Sequence, residues 1–169
     1  MSAAVPDRVR HAVHALSVQP DESLLELGCG GGVAVALVCE RLRGGTITAI
    51  DRSPIQIARA ERRNAEHIAA GRARFATAAL EELHFPERSF DRVFAITVNH
   101  FWVREVSQEL AALARLLKPG GALWLFYDPP SPAKTASMRA RLGESLAKGG
   151  LTSIETSSSP LLCVAARPA

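Results

Sequence analysis

The chain has 169 residues, of which 47% are hydrophobic, 22% charged and 5% aromatic, and its formal net charge is +3. This composition excludes an intrinsically disordered chain, and the absence of a long apolar run or a signal-peptide-like start predicts one cytoplasmic domain over residues 1–169 with no membrane partner. The three cysteines are scattered without a C-x-x-C pair, which predicts neither a disulfide framework nor a metal site.

Strands and helices alternate along the first half of the chain. Glycines at 28 and 30–32 separate the first strand from the next helix, and Asp51 closes the second strand. Ser53 and Pro54 form a strong helix start, because serine caps free N–H groups and proline suits the first helical position. The predicted elements are, in chain order, a helix over 7–18, a strand over 23–27, a helix over 33–43, a strand over 46–50 and a helix over 54–70.

The second half continues this alternation with more strongly apolar strands. Residues 122–127 are apolar throughout, as expected of a parallel strand that is covered on both faces. Alternating units with short connections predict a doubly wound α/β domain. The remaining predicted elements are strands over 73–76 and 90–97, a helix over 104–117, a strand over 122–127, a helix over 133–147 and strands over 153–156 and 161–166.

The loop between the first strand and its helix is rich in glycine. Residues 26–32 read Glu-Leu-Gly-Cys-Gly-Gly-Gly, and glycines let the backbone turn tightly and approach a ligand closely. Asp51 follows about 20 residues later at a strand end, where its carboxylate can accept hydrogen bonds from both hydroxyls of a ribose. Glu26, Gly28, Gly30 and Gly32 together with Asp51 therefore predict a nucleotide-type ligand.

The residues around this loop favour one nucleotide-type ligand over two others. A dinucleotide fingerprint needs a third glycine where this chain has Val33. A nicotinamide-dependent oxidoreductase is disfavoured for this reason and because the chain has no Tyr-x-x-x-Lys pair, its only tyrosine being Tyr127. A P-loop is excluded because no Gly-Lys-Ser/Thr follows. Glu26 would repel a pyrophosphate and attract an ammonium group, so charge favours S-adenosylmethionine over NAD.

Four ordered segments carry motifs at the spacings of one known family: residues 24–32, 47–54, 83–102 and 113–121. They resemble the first and second motifs, the third-strand loop with the fourth strand, and the turn before the fifth strand of the class I (Rossmann-like) S-adenosylmethionine-dependent methyltransferases, small-molecule branch. The resemblance implies a Rossmann-like, seven-stranded, mostly parallel sheet with helices on both faces and the last strand antiparallel between its neighbours. It also implies S-adenosylmethionine as cofactor and S-adenosylhomocysteine as product.

The resemblance assigns residues to the cofactor site. It makes Asp51 the ribose ligand and places Arg52 beside the adenine. Members often carry an Asp near the adenine amino group, but this chain has Ala78 and Ala79 there, which leaves the backbone around Leu80 or another side chain to bind it. The complete expected set is Glu26, Gly28, Cys29, Gly30, Gly32, Asp51, Arg52, Ala79, Leu80, Thr97 and Asn99.

Two residues are candidates for catalysis. Methyl transfer is an in-line displacement in which the enzyme chiefly aligns the acceptor and excludes water, and a general base is needed only if the acceptor must lose a proton. His100 follows the fourth strand and Asp128 the fifth, at the carboxyl ends where open α/β sheets bind ligands. An exposed or capping role is the alternative for His100.

The expected acceptor is a small molecule. Arg59, Arg62 and Arg63 are interleaved with Glu61 and Glu66, which is typical of a solvated helix face and speaks against a nucleic-acid partner. The chain is close to a bare cofactor-binding core, so the first helix, the loop after the fifth strand or the second subunit of a homodimer is expected to close the pocket. A non-catalytic, cofactor-binding partner or regulatory domain is the alternative function.

Overall fold

Seven strands form one sheet in the computed structural model, which describes residues 4–157 and 160–169. Each strand overlaps a predicted strand, and the observed ends lie within five residues of the predicted ones. The strands are β1 (Ser23–Leu27), β2 (Thr46–Asp51), β3 (Ala73–Thr77), β4 (Phe90–Ile96), β5 (Leu117–Tyr127), β6 (Leu151–Ser157) and β7 (Leu162–Pro168).

Helices connect the strands and cover both faces of the sheet. One turn of 3-10 helix, Leu80–Glu82, lies in the loop between β3 and β4. Of the described helices, none combines the length and the apolar character needed to cross a membrane. The helices are α1 (Asp7–Leu16), α2 (Val33–Cys39), α3 (Pro54–Arg63), α4 (Ala65–Ala69), α5 (His100–Val103), α6 (Ser107–Leu116) and α7 (Pro132–Lys148).

The strand order is β3-β2-β1-β4-β5-β7-β6. β1 pairs in parallel with both β2 and β4, and β7 pairs antiparallel with both β5 and β6. Six strands therefore run in one direction and the last runs against them, which confirms the predicted Rossmann-like sheet. From β1 the chain adds β2 and β3 on one side of the sheet, and it then returns to place β4 on the other side of β1. The direction in which strands are added therefore reverses between β1 and β4. Open α/β sheets bind ligands at the carboxyl ends of the strands at such a reversal.

Alternate residues of the central strands pack on opposite faces of the sheet. Leu24 and Phe94 belong to a core shared with α1, α2 and α3, whereas Leu25 and Val93 belong to a core shared with α5, α6 and α7. All four side chains are fully buried. This two-sided burial explains why the strands are almost continuously apolar in sequence.

Three predicted helices differ from the observed ones by a break or by more than two residues. The helix predicted over 33–43 ends at Cys39. The helix predicted over 54–70 is broken at Asn64, whose backbone (φ −107°, ψ 20°) separates α3 from α4. The helix predicted over 104–117 begins only at Ser107, and α5 is a separate short helix before it. Residues 118–121 end the segment that resembles the turn before the fifth strand, but they lie within β5, next to a register shift in the pairing with β4.

Candidate functional site

The glycine loop connects β1 to α2 through three residues of positive φ. Gly28, Gly30 and Gly32 have φ of 69°, 51° and 71°, a region that costs other residues roughly 1–2 kcal/mol. At Gly28 space is also limiting, because a Cβ there would lie 2.8 Å from the Cγ2 of Val98 after β4. The backbone of the loop is therefore brought against the end of β4, as expected for a loop that approaches a ligand.

Asp51 ties this loop to the end of β2. One carboxylate oxygen accepts a hydrogen bond from the Gly30 N–H at 2.9 Å, and the other accepts one from the Ser53 N–H at 2.9 Å. Each carboxylate oxygen has two acceptor sites, so Asp51 retains capacity for the hydroxyls of a ligand. The same side chain lines the cavity described below.

Glu26 is buried directly before the glycine loop. Its side chain is 3% exposed, and its Oε2 has no hydrogen-bond partner among the described residues. Burial, reinforced by the charge of Asp51, raises the pKa of Glu26 to about 8. Burial and the same two carboxyl groups also raise the pKa of the Cys29 thiol far above its ordinary value, so Cys29 is not an activated nucleophile.

A cavity of about 790 Å³ lies at the carboxyl ends of β1, β2 and β4. Its apolar wall includes Leu27, Val98, Phe101 and Val103. Seven of the residues predicted from the sequence line it together: Gly28, Asp51, Arg52, Ala79, Leu80, Asn99 and His100.

The other predicted residues do not line this cavity. Glu26, Cys29, Gly30 and Gly32 lie within or beneath the glycine loop. Thr97 is exposed and has φ of 57°; its N–H donates to the Phe126 carbonyl at 2.8 Å and its hydroxyl to the Ile96 carbonyl at 2.7 Å.

Asp128 is also separate from the cavity. It is exposed directly after β5, and the residues that follow it, Pro129 to Pro132, line a different surface depression on α7. The structure therefore brings His100 into the cavity without Asp128. The first turn of α7 contacts α5 through Lys134, whose Nζ lies 4.3 Å from the centre of the Trp102 ring.

A charged cluster at one end of the cavity was not predicted from the sequence. The Arg104 guanidinium contacts Glu81 of the 3-10 turn, the Nε2 of His100, and Glu109 of α6, the last at 2.9 Å. Hydrogen bonds from its own backbone N–H and from Arg104 hold the pKa of Glu81 below its ordinary value. The i, i+4 spacing of His100 and Arg104 was available in the sequence, but nothing there paired Arg104 with Glu81, 23 residues earlier.

This cluster also bears on metal binding. The ligand atoms of Glu81, His100 and Glu109 lie within 4.8 Å of one another, a spacing that a metal ion could use. Arg104 is the common partner of all three, and its positive charge stands where the ion would have to bind. We therefore assign no metal to the cluster.

Residues 24–121 match the family described as "Methyltransferase domain". The chain is 28% identical over 125 residues to an uncharacterized methyltransferase of Synechocystis, covering 68% of this chain and 55% of that protein. It is 32% identical over 118 residues to the fatty-acid O-methyltransferase of Mycolicibacterium smegmatis, covering 68% of this chain and 41% of the relative. It is 28% identical over 153 residues to a sterol 24-C-methyltransferase of Aspergillus fumigatus, and the match covers 86% of this chain and 39% of that protein.

A solved structure shares the fold. Geranyl diphosphate methyltransferase in complex with S-adenosylmethionine superposes with a TM-score of 0.76, covering 96% of this chain and 85% of that one at 16% identity. The chain spans about half, or less, of the length of the three curated relatives described above.

Proposed function

Because this chain belongs to the methyltransferase domain family, we propose that it binds S-adenosylmethionine in the cavity at the ends of β1, β2 and β4 and transfers its methyl group to a small molecule. The observation that carries the proposal is the convergence of Gly28 and Asp51 on one cavity, from two neighbouring parallel strands. A glycine loop and a carboxylate so placed suit a ligand with a ribose.

The surroundings of the cavity fit S-adenosylmethionine in charge as well as shape. Glu26 is a buried carboxyl without a partner for Oε2 among the described residues, and it would gain one from an ammonium group reaching the loop. Asp51 would accept hydrogen bonds from the ribose hydroxyls, and Arg52, Ala79 and Leu80 would border the adenine. We assign Asn99 to the same site, with Cys29, Gly30, Gly32 and Thr97 shaping the backbone around it.

When bound, S-adenosylmethionine supplies a methyl group already activated by a sulfonium. The protein then has to position an acceptor and exclude water, for which the apolar wall of Phe101, Val98 and Val103 is suited. Relatives named for sterols and fatty acids act on acceptors that are largely apolar. We infer an acceptor with an apolar body for this chain as well.

His100 is the candidate base, should the acceptor need to lose a proton. The Nε2 of His100 contacts the Arg104 guanidinium and lies 3.4 Å from the Glu81 Oε1. This nitrogen is therefore engaged by the charged cluster. His100 can act as a base only after this contact opens, and an acceptor that needs no deprotonation would not require it.

Calorimetric titration tests the cofactor. We expect micromolar binding of S-adenosylmethionine and S-adenosylhomocysteine and no binding of NAD. Binding of NAD alone would refute the proposal. Asp128, outside the cavity, serves as a control position: Asp128→Ala should leave these affinities unchanged.

The second candidate function is cofactor binding without catalysis. Two features favour it: the contact of His100 with Arg104, and the alanines at 78 and 79 where related proteins often carry an Asp near the adenine. A screen with methyl-labelled S-adenosylmethionine against fatty acids, sterols and prenyl diphosphates separates the two. Label transfer to any acceptor establishes catalysis, whereas tight binding without transfer across the panel favours the partner or regulatory role.

A further inference from the structure

Asn64 is a fully buried polar residue outside the cavity. Its relative exposure is 0%, and among the described residues the buried polar or charged ones are Asn64 and Glu26. It lies between α3 and α4, where the helical backbone is interrupted. A polar side chain is buried at a cost unless it is hydrogen-bonded, so its partners indicate its purpose.

The partners of Asn64 include the glycine loop. Its Nδ2 donates to the Gly32 carbonyl at 3.0 Å and to the Ala60 carbonyl at 2.9 Å. The Gly32 carbonyl also accepts from the Ala36 N–H at 3.3 Å, which is the first bond of α2. One amide group therefore joins α3 to the point where the loop becomes α2.

The residue before Asn64 makes a matching contact. The Nε of Arg63 donates to the Gly31 carbonyl at 2.9 Å, although Arg63 itself is exposed. Two successive residues at the end of α3 thus hold two successive carbonyls of the loop.

The loop and α3 are packed without spare room. A Cβ on Gly32 would lie 2.7 Å from the Asn64 Nδ2 and 2.8 Å from the Ala60 Cβ. The loop can therefore approach α3 this closely only with glycine at 32. The hydrogen bonds and the packing fix the same stretch of backbone that Asp51 holds from the other side through Gly30.

We propose that Arg63 and Asn64 form a clamp that holds the glycine loop in its ligand-binding conformation. Both are positioning residues: neither lines the cavity, and each acts through the backbone of the loop. A loop ordered before the ligand arrives loses less conformational freedom on binding, which raises affinity. The proposal rests on the proposed function, since the ligand is taken to be S-adenosylmethionine or S-adenosylhomocysteine.

The test uses Asn64→Ala and Arg63→Met, with Arg62→Met as the matched control. Arg62 is a neighbouring exposed arginine of α3. The loss of loop ordering should weaken S-adenosylhomocysteine binding roughly tenfold in Asn64→Ala and about threefold in Arg63→Met, the scale of one net hydrogen bond. Arg62→Met should bind within about twofold of the wild type by the same scale.

Amide hydrogen exchange of the apo protein gives a second readout. The amides of residues 29–32 should exchange faster in both clamp variants but not in Arg62→Met. If Asn64 only breaks a helix, Asn64→Ala will unfold at lower urea while affinity and loop exchange stay unchanged, which overturns the proposal. If Asn64→Ala does not fold, Arg63→Met decides by the same two measurements. If the wild type fails to bind S-adenosylhomocysteine, the proposed function fails. Loop exchange alone then tests whether Arg63 and Asn64 hold the glycine loop in place.

Discussion

Replacing Glu26 by Gln should change how the stability of the protein depends on pH. Glu26 is 3% exposed and sits near Asp51 at the start of the glycine loop. Burial and the neighbouring carboxylate raise its pKa from 4.5 to about 8 in the folded protein. In the unfolded chain the group is solvated and returns to its ordinary range. Gln preserves the shape of the side chain and removes the titration.

The direction of the effect follows from proton binding in the two states. Below pH 4.5 both states hold the proton on Glu26, so its burial carries no charge penalty. Between pH 4.5 and about 8 the unfolded chain has lost the proton while the folded protein keeps it, so stability falls as pH rises. The slope approaches about 1.4 kcal/mol per pH unit for one proton. Across the window this reaches a few kcal/mol, a large share of the roughly 5–15 kcal/mol that stabilises a typical domain.

Urea denaturation at pH 5, 6, 7 and 8 measures this effect. The difference in unfolding free energy between Glu26→Gln and the wild type should shift steadily in favour of the variant as pH rises. Other titrating groups are common to both proteins and cancel in the difference. Glu61→Gln, which removes an exposed carboxyl of α3, is the matched control. Parallel pH profiles for Glu26→Gln and the wild type would refute the reasoning.

The same carboxyl connects pH to the proposed cofactor. An ammonium group beside Glu26 would favour its charged form, so S-adenosylhomocysteine binding at pH 7 should release a proton from the wild type. Titrations in buffers of different ionisation enthalpy detect that proton, and it should be missing in Glu26→Gln. Proton release that persists in the variant would show that another group is its source.

Three further substitutions test the site and the core. Asp51→Ala should weaken S-adenosylhomocysteine binding by about 1–3 kcal/mol in calorimetry, whereas Asp21→Ala, which removes a similar carboxylate-to-backbone bond to Gly44 at the opposite end of the sheet, should not. Gly32→Ala should lower the unfolding free energy by about 2–4 kcal/mol and Gly71→Ala by about 1 kcal/mol, because both have positive φ but only Gly32 would clash. Leu123→Ala, in the centre of β5, should cost about 2–5 kcal/mol in urea denaturation.

The elements that could be predicted from the sequence are those determined by local pattern. Continuous apolar strands, the Ser53 cap with Pro54 and the glycine loop all depend on neighbouring residues. The break at Asn64 could not be predicted in this way, because residues 54–70 are compatible with a continuous helix. At the break the Asn64 amide contacts Gly32, 32 residues earlier in the chain, and local pattern does not report such a contact.

In the candidate site, too, the residues set by local pattern could be predicted and those set by long-range contacts could not. Gly28 and Asp51 could be predicted because each follows directly from the end of a strand, and strand ends are readable as a change from apolar to polar residues. Arg104 was missed because its partners, Glu81 and Glu109, come from separate elements that meet only in the folded protein. Asp128 was expected in the cavity from its strand-end position, yet the loop it starts turns toward α7 instead.

The proposed cofactor contacts and the rest of the cavity wall depend on different parts of the structure. The proposed cofactor contacts use backbone geometry and one carboxylate, which the topology of β1 and β2 dictates. The remaining wall of the cavity comes from the 3-10 turn and α5, where side chains such as Phe101 and Arg104 set shape and charge through long-range packing. Phe101 is buried in the core beneath the sheet, but Val103 and Arg104 are exposed and can change without disturbing the sheet or the glycine loop. A chain of this fold can therefore keep one cofactor while its acceptor changes, and acceptor identity has to be sought in the residues around α5.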